Sequence, residues 1–243
     1  MIKFDIKVSW RDKVNTNMTN ESIATKVPQI SVKRYNTILS SNNIYIKVKR
    51  IIDVVFALIA LIILLPVFAI IALAIKIESK GPVFFKHTRI GKNGKIIKIY
   101  KFRSMVNNAE ELIKNFTPEQ MKEYKENYKL SNDPRITRVG KILRRASLDE
   151  LPQLINIIKG DLSIIGPRPV VQEELKKYGD NAGKFLSITP GLTGYWAANG
   201  RSCTSYQQRM EMELFYVENV SLKLDLQIFL KTFEAVINRR GAV

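Results

Sequence analysis

Three textures follow one another along the chain. Residues 1–45 are polar, rich in Asn, Ser, Thr and Lys, and carry no sustained helical or strand period, so they read as a polar N-terminal extension. From Val54 to Ile75 runs VVFALIALIILLPVFAIIALAI, twenty-two residues without a charge. About 20 apolar residues suffice to cross a hydrocarbon core of roughly 30 Å, so residues 46–78 are expected to meet the membrane. The run starts too late and is too long for a signal peptide. From there to the C-terminus the pattern is mixed, as in a folded domain spanning 79–240.

Within that domain, GPVFFKHTRI and KIIKIYKF flank a Gly91–Gly94 turn and predict a β-hairpin. Residues 108–130 predict surface helices, with Thr117, Pro118 and Gln120 supplying N-cap, first position and capping box. Asp133 to Pro169 predicts a basic helix with Lys141, Arg144 and Arg145, a second helix, a short strand at Leu162–Ile165, and a Gly-Pro-Arg-Pro turn. PGLTGYWAANGRSCTSY reads as a Gly-rich aromatic loop, QQRMEMELFYVENV as a helix. The last segment, SLKLDLQIFLKTFEAVINRR, has Leu, Ile and Phe along one side. It suits a helix lying in the membrane interface and equally a core helix. The fold class is therefore α+β: a Pro-kinked, re-entrant membrane helix, then a compact, mainly helical domain with a small hairpin and interfacial amphipathic helices.

Pro66 divides the apolar run into arms of twelve and nine residues. At 1.5 Å per residue these reach about 18 and 14 Å, so neither crosses alone. Pro66 removes one donor and crowds the carbonyl of Ile62. Basic residues flank both ends: Lys47, Lys49 and Arg50 before, Lys76, Lys80, Lys86, Arg89 and Lys92 after. A spanning helix carries that excess mainly on one side. A helix that enters, breaks at Pro66 and returns accounts for both features, while a kinked spanning helix remains the other reading.

Charge narrows the partners. Thirty-nine Lys and Arg against 22 Asp and Glu give a formal net charge of +17, which points to an anionic partner. Acidic headgroups are the partner nearest to a membrane-bound chain; nucleic acid is not expected, although basic and aromatic residues alternate on the second hairpin run. Cys203 is the only cysteine and His87 the only histidine. Internal disulfides, cysteine metal sites and histidine-rich zinc sites are excluded.

Candidate chemistry gathers around SLDELPQL, residues 147–154. Ser147 and Glu150 have the spacing of a capping box, which would place Asp149 in the first turn of a helix, although Pro152 prefers the first helical position and could push the cap forward; a capping role and a reaction centre are both open for this acidic pair. Arginines precede it. Carboxylates hold Mg²⁺ and arginines fork onto phosphate oxygens, so metal plus phosphate is a natural tenant, with Asp149 and Glu150 as metal ligands. Arg168 lies between two prolines that fix its backbone, as a phosphate clamp or simply a turn. Lys101 and Arg103 share one face of the second hairpin run, and Arg201 closes the aromatic loop. Arg144, Arg145, Arg168, Lys101, Arg103 and Arg201 are the phosphate-binding candidates.

From Lys49 to Arg239 the chain resembles the bacterial sugar transferases, the small monotopic phosphoglycosyl transferases. The resemblance rests on five stretches in order: KRIIDVVFALIALIILLP, GPVFFKHTRIG, IYKFRSM, SLDELPQLINIIKGDLSIIGPRP and PGLTGYWAANGR. It implies transfer of a sugar 1-phosphate from a UDP-sugar to undecaprenyl phosphate, with release of UMP, at the cytoplasmic face of the bacterial inner membrane. It further implies that Asp149 is the nucleophile and carries a phospho-sugar intermediate, with Glu150 helping to hold Mg²⁺ or manage the acceptor's proton. Arg144 and Arg168 match positions near substrate phosphates. Two departures bear on sugar choice: His87 stands where the family usually has Gln, and Ala197-Ala198 where it usually has Gln-Val. With only a polar extension before the apolar run, the chain is expected to belong with the short forms; homo-oligomers are compatible with all of this.

Two other mechanisms stay open at this point. The transfer can be direct, with Asp149 or Glu150 as general base. Alternatively the chain is a non-catalytic membrane adaptor that recruits glycan enzymes through its basic surface.

Overall fold

A computed structural model describes residues 43–127, 130, 132–200 and 204–237. The N-terminal extension lies outside them except for Asn43 to Tyr45, which open the first helix, and Arg201 also lies outside.

Helix α1 (Asn43–Glu78) is continuous through Pro66. The division into two arms expected from the sequence is therefore not seen as a gap in the helix. One proline costs one backbone bond, and packing on both sides of it holds the helix together: Ala57, Leu61 and Leu64 before Pro66, Val67, Phe68, Ile71 and Ile75 after it, all against the folded domain. Among the described residues this is the one helix long and apolar enough to cross a membrane. Its other face is bare: Ile52, Val55, Ile59, Ile62, Ile63, Ile70 and Leu73 are exposed.

Polar side chains fasten both ends of α1 to the same domain. Near its start, Arg50 donates to the carbonyls of Ile157 (2.5 Å) and Ile158 (2.8 Å). Buried Asp53 accepts from Ser163 Oγ and from the N–H of Ile164. At its end, Glu78 accepts from the N–H groups of Arg138 and Val139, neutralising the bare donors that begin a helix. Arg103 donates to the carbonyls of Ser79 and Lys80 just beyond α1.

The hairpin is as expected, β1 (Phe84–Ile90) antiparallel to β2 (Ile96–Phe102) with His87 opposite Ile99 and Phe85 opposite Lys101. Asn93 and Gly94 adopt positive φ in the turn. After α2 (Ala109–Leu112) comes α3 (Pro118–Asn127), whose capping box forms as predicted: Gln120 N–H donates to Thr117 Oγ1 and Thr117 N–H to Gln120 Oε1. The basic helix is α4 (Arg138–Arg145), capped by Thr137.

Between α4 and α5 (Gln153–Lys159) the acidic pair behaves differently from expectation. Ser147 has φ 55 and makes no side-chain cap, and Leu148–Glu150 is a single 3₁₀ turn ahead of α5. Pro152, which lacks a donor, stands at the N-cap of α5 and displaces the helix start past the acids. The predicted capping box at Ser147 and Glu150 is thus corrected, as is the placing of Asp149 in the first turn of a helix.

Strand β3 (Ser163–Ile165) pairs in parallel with β4 (Gly191–Thr193), which lies inside the stretch read as a loop. Two strands of three residues are too short for alternation to reveal. The chain between them forms α6 (Gln172–Leu175) and α7 (Ala182–Phe185). α8 (Tyr195–Asn199), α9 (Tyr206–Glu218) and α10 (Leu222–Ile237) follow. α10 packs one side into the core and leaves the other side apolar and exposed. Ile228 and Asp225 are buried, whereas Leu222, Leu226, Leu230 and Phe233 stand exposed. Phe229 meets Phe56 of α1 edge-on at 5.7 Å, so the bare faces of the two helices adjoin.

Candidate active site

Backbone pairing fixes where the acids sit. The Asn156 side chain on α5 accepts from the N–H of Tyr100 (2.9 Å) and donates to the carbonyl of Lys98 (2.8 Å), so α5 completes the edge of β2. The turn before α5 then meets the C-terminal end of β2, where Lys101 Nζ pairs with Glu150 Oε1 at 2.7 Å. α4 approaches the same place from the other side. Gly140 lies so close to Ser104 that a Cβ would stand 2.0 Å from its carbonyl oxygen. That contact brings Arg144 Nε to Ser104 Oγ at 2.9 Å.

The Gly-Pro-Arg-Pro turn is clamped as firmly. Gly166 N–H donates to the carbonyl of Thr193 and Gly191 N–H to that of Pro167, while Ile90 N–H donates to Val170. A Cβ on Gly191 would meet Gly166 N at 2.2 Å, so only glycine permits the approach. Arg168 N–H donates to Glu213 Oε1 of α9 at 3.2 Å. Its guanidinium lies over the Trp196 ring at 5.8 Å.

These elements enclose one open cleft of about 500 Å³, lined among others by His87, Arg89, Lys101, Glu150, Arg168, Trp196 and Glu213. Asp149, next to Glu150 in the chain, is buried. Burial raises its carboxyl above the ordinary range; Lys101 draws it back down, Glu150 raises it and Arg144 lowers it. His87 is pushed down to about 4, first by burial and then by Arg89, Lys101 and Arg168, so the ring is neutral at physiological pH. Arg89 Nη2 donates to His87 Nδ1 at 3.3 Å. Burial and the neighbouring Arg168 bring Arg89 down to about 10, which leaves it cationic. Burial drives Glu213 up to about 7.

Of the residues singled out from sequence, Lys101, Glu150 and Arg168 line this cleft, with Asp149 and Arg144 beside it. Arg103 does not: it is 7% exposed and bound to the end of α1 and to Asn107. Arg145 is exposed on α4, and Pro66 lies in α1. The sequence reading missed Arg89, Trp196 and Glu213. Glu213 left a signal, since it shares a helix face with Met210, Leu214 and Val217, and an acid on an apolar face is seldom idle.

The donor set suits a divalent cation held with substrate phosphates. Among the described residues no cluster of three or more His, Cys, Asp or Glu exists that could hold a metal alone. Mg²⁺ is commonly held by one or two carboxylates with phosphates completing its shell; here Glu150 lines the cleft and Asp149 is the buried neighbour in the chain.

Fold and cleft set Lys101, Arg89, Arg168 and Glu150 at one opening, in a chain whose first helix is long and apolar enough to cross a membrane. Comparison with known sequences makes this specific. The profile of the family described as bacterial sugar transferase matches residues 44–239, and the chain belongs to that family. It is 45% identical over 197 residues to the exopolysaccharide production protein ExoY of Sinorhizobium fredii, covering 80% of this chain and 87% of that one. It is 43% identical to an undecaprenyl-phosphate galactose phosphotransferase of Salmonella typhimurium, covering 80% of this chain and 41% of that one. Identity is 37% to a UDP-glucose:undecaprenyl-phosphate glucose-1-phosphate transferase of Escherichia coli, over 86% of this chain and 44% of the relative. The chain thus spans less than half of these last two.

Proposed function

We propose that the protein transfers a sugar 1-phosphate from a UDP-sugar to undecaprenyl phosphate, beginning assembly of a surface polysaccharide. The observation that carries this is the acid pair Asp149–Glu150 held beside Lys101 at the mouth of a cleft that also presents Arg89 and Arg168. Activities named for the relatives agree with it.

The chemistry runs in two displacements. An Asp149 carboxylate oxygen attacks the β-phosphorus of the UDP-sugar, the bond to the bridging oxygen breaks, and UMP leaves with the electron pair. An oxygen of the lipid phosphate then attacks the same phosphorus and frees Asp149. Lys101, Arg89 and Arg168 offset the charge that gathers as anion meets anion. Asp149 and Glu150 would hold Mg²⁺, which supplies further neutralisation of the diphosphate. Division into two steps lets a soluble donor and a membrane acceptor use one site in turn.

Attachment of both ends of α1 to one domain, through Arg50 and Asp53 at the start and Glu78 at the end, supports both ends lying on the same side of the bilayer; a UDP-sugar donor would make that side the cytoplasmic one. The bare faces of α1 and α10 would enter the lipid and set the cleft at headgroup depth. A tag at residue 1 and a tag after Val243 should label from the same side.

One observation favours direct displacement as a second reading: Glu150 lines the cleft whereas Asp149 is more enclosed. Initial rates separate the two, parallel lines for the two-step route and intersecting lines for the direct one. The test of the function itself is UMP release from a UDP-sugar panel by purified enzyme with undecaprenyl phosphate and Mg²⁺. Release that requires the lipid for sustained turnover and is lost in Asp149→Asn supports it. Intact polymer production in cells carrying Asp149→Asn would favour the adaptor instead.

A further inference from the structure

Glu213 sits in the wall of the cleft, 1% exposed, on the apolar face of α9. One carboxyl oxygen is accounted for: Oε1 accepts the N–H of Arg168 at 3.2 Å. The other, Oε2, is buried without any hydrogen-bond partner among the described residues. No described cation forms an ion pair with it. Arg209, the nearest candidate by its electrostatic effect, pairs with Glu174 at 3.4 Å and stacks over Trp196 at 4.8 Å. Tyr178 OH and Arg209 Nε are also buried without partners, but neither bonds Oε2, and a buried acceptor left open in the wall of a cleft is available to a donor on a ligand.

The cleft itself limits what that donor is. Phosphates belong with Arg89, Lys101 and Arg168, since a carboxylate repels them. The neutral, donor-rich part of a nucleotide-sugar is the sugar. A carboxyl oxygen beside an aromatic ring, here Trp196, suits a hydroxylated ring with one polar edge and one apolar face. Resting on the transferase reading above, we infer that Glu213 Oε2 accepts a hydrogen bond from one hydroxyl of the transferred sugar, making Glu213 a specificity-determining residue. Through Oε1 the same carboxyl holds the backbone of Arg168, so sugar and phosphate recognition share one side chain.

The experiment compares wild type with Glu213→Gln and Glu213→Ala on the best UDP-sugar and its singly deoxygenated analogues, following UMP release. Removing the hydroxyl that Glu213 reads should lower wild-type kcat/KM by about tenfold to hundredfold, as for a hydrogen bond to a carboxylate. The same deoxygenation should cost Glu213→Ala almost nothing more, and inhibition by UMP should be unchanged in Glu213→Gln, whose amide oxygen still accepts from Arg168 N–H. The wild-type series stands even if a variant folds poorly. Equal losses at every position in wild type and Glu213→Gln would overturn the inference, as would a matching weakening of UMP inhibition, which would assign the carboxyl to the nucleotide. Absence of turnover by wild type with any UDP-sugar would remove the transferase reading and this inference with it.

Discussion

Lys101 Nζ lies 2.7 Å from Glu150 Oε1, joining the open end of the hairpin to the turn that bears Asp149. Lys101 is also the foremost group holding the Asp149 carboxyl down against the effect of burial. Lys101→Met should therefore act twice. It should lower kcat/KM by about a hundredfold, the scale of losing one preorganised charge-stabilising group. It should also move the acidic limb of the pH–rate profile to higher pH, because Asp149 would protonate more readily. A profile of UMP release against pH reads both effects; an unmoved acidic limb would place the ionisation elsewhere.

Arg103 has the residue type of a phosphate ligand and a different task. Its guanidinium ties Ser79 and Lys80 at the end of α1 to the hairpin. Arg103→Met should lower unfolding stability by about 2–4 kcal/mol, as several charged hydrogen bonds are lost. Activity below the melting temperature should change little. Arg168→Met should do the reverse, and thermal melts alongside UMP release distinguish the two arginines.

That contrast marks what the sequence made legible. Parity along β2 put Lys101 and Arg103 on one face, but Arg103 follows the last strand residue and turns to α1, while Lys101 faces the cleft. The apolar run, the hairpin, α3 with its Thr117 cap, α4 and the acidic pair all followed from local patterns. Ser147 did not cap: Pro152 at the N-cap moves the helix start five residues past Leu148, to Gln153, and Ser147 is left-handed. Glu213, Arg89 and Trp196 lie far apart in sequence and meet only through tertiary contacts, which periodicity cannot report.

Gly140 tests how tightly α4 must approach β2. Gly140→Ala would drive a methyl into the Ser104 carbonyl and should destabilise the protein by about 1–3 kcal/mol, the cost of overpacking. Arg144 would be displaced from Ser104, so kcat should fall at temperatures where the variant remains folded. Full activity in a stable Gly140→Ala would show that Arg144 acts without that support.

Glu213 makes stability depend on pH in a defined direction. Its folded pKa of about 7 stands above the ordinary 4.5, so the native state holds this proton after the unfolded chain has released it. The contribution is full below pH 4.5, fades as pH rises, and is gone above about 7; it amounts to about 3 kcal/mol. Glu213→Gln should remove this part of the slope. Urea unfolding of the detergent-solubilised protein at pH 5 and pH 8 measures it, and equal slopes in both proteins would contradict the assignment.

The most direct measurement is the intact mass of the enzyme after incubation with Mg²⁺ and a series of UDP-sugars, the lipid acceptor omitted. The account predicts a gain of one sugar phosphate, absent in Asp149→Asn and discharged by undecaprenyl phosphate, and the mass itself would name the sugar class. An unmodified mass with every donor, in a preparation that releases UMP once the lipid is added, would contradict covalent transfer through Asp149.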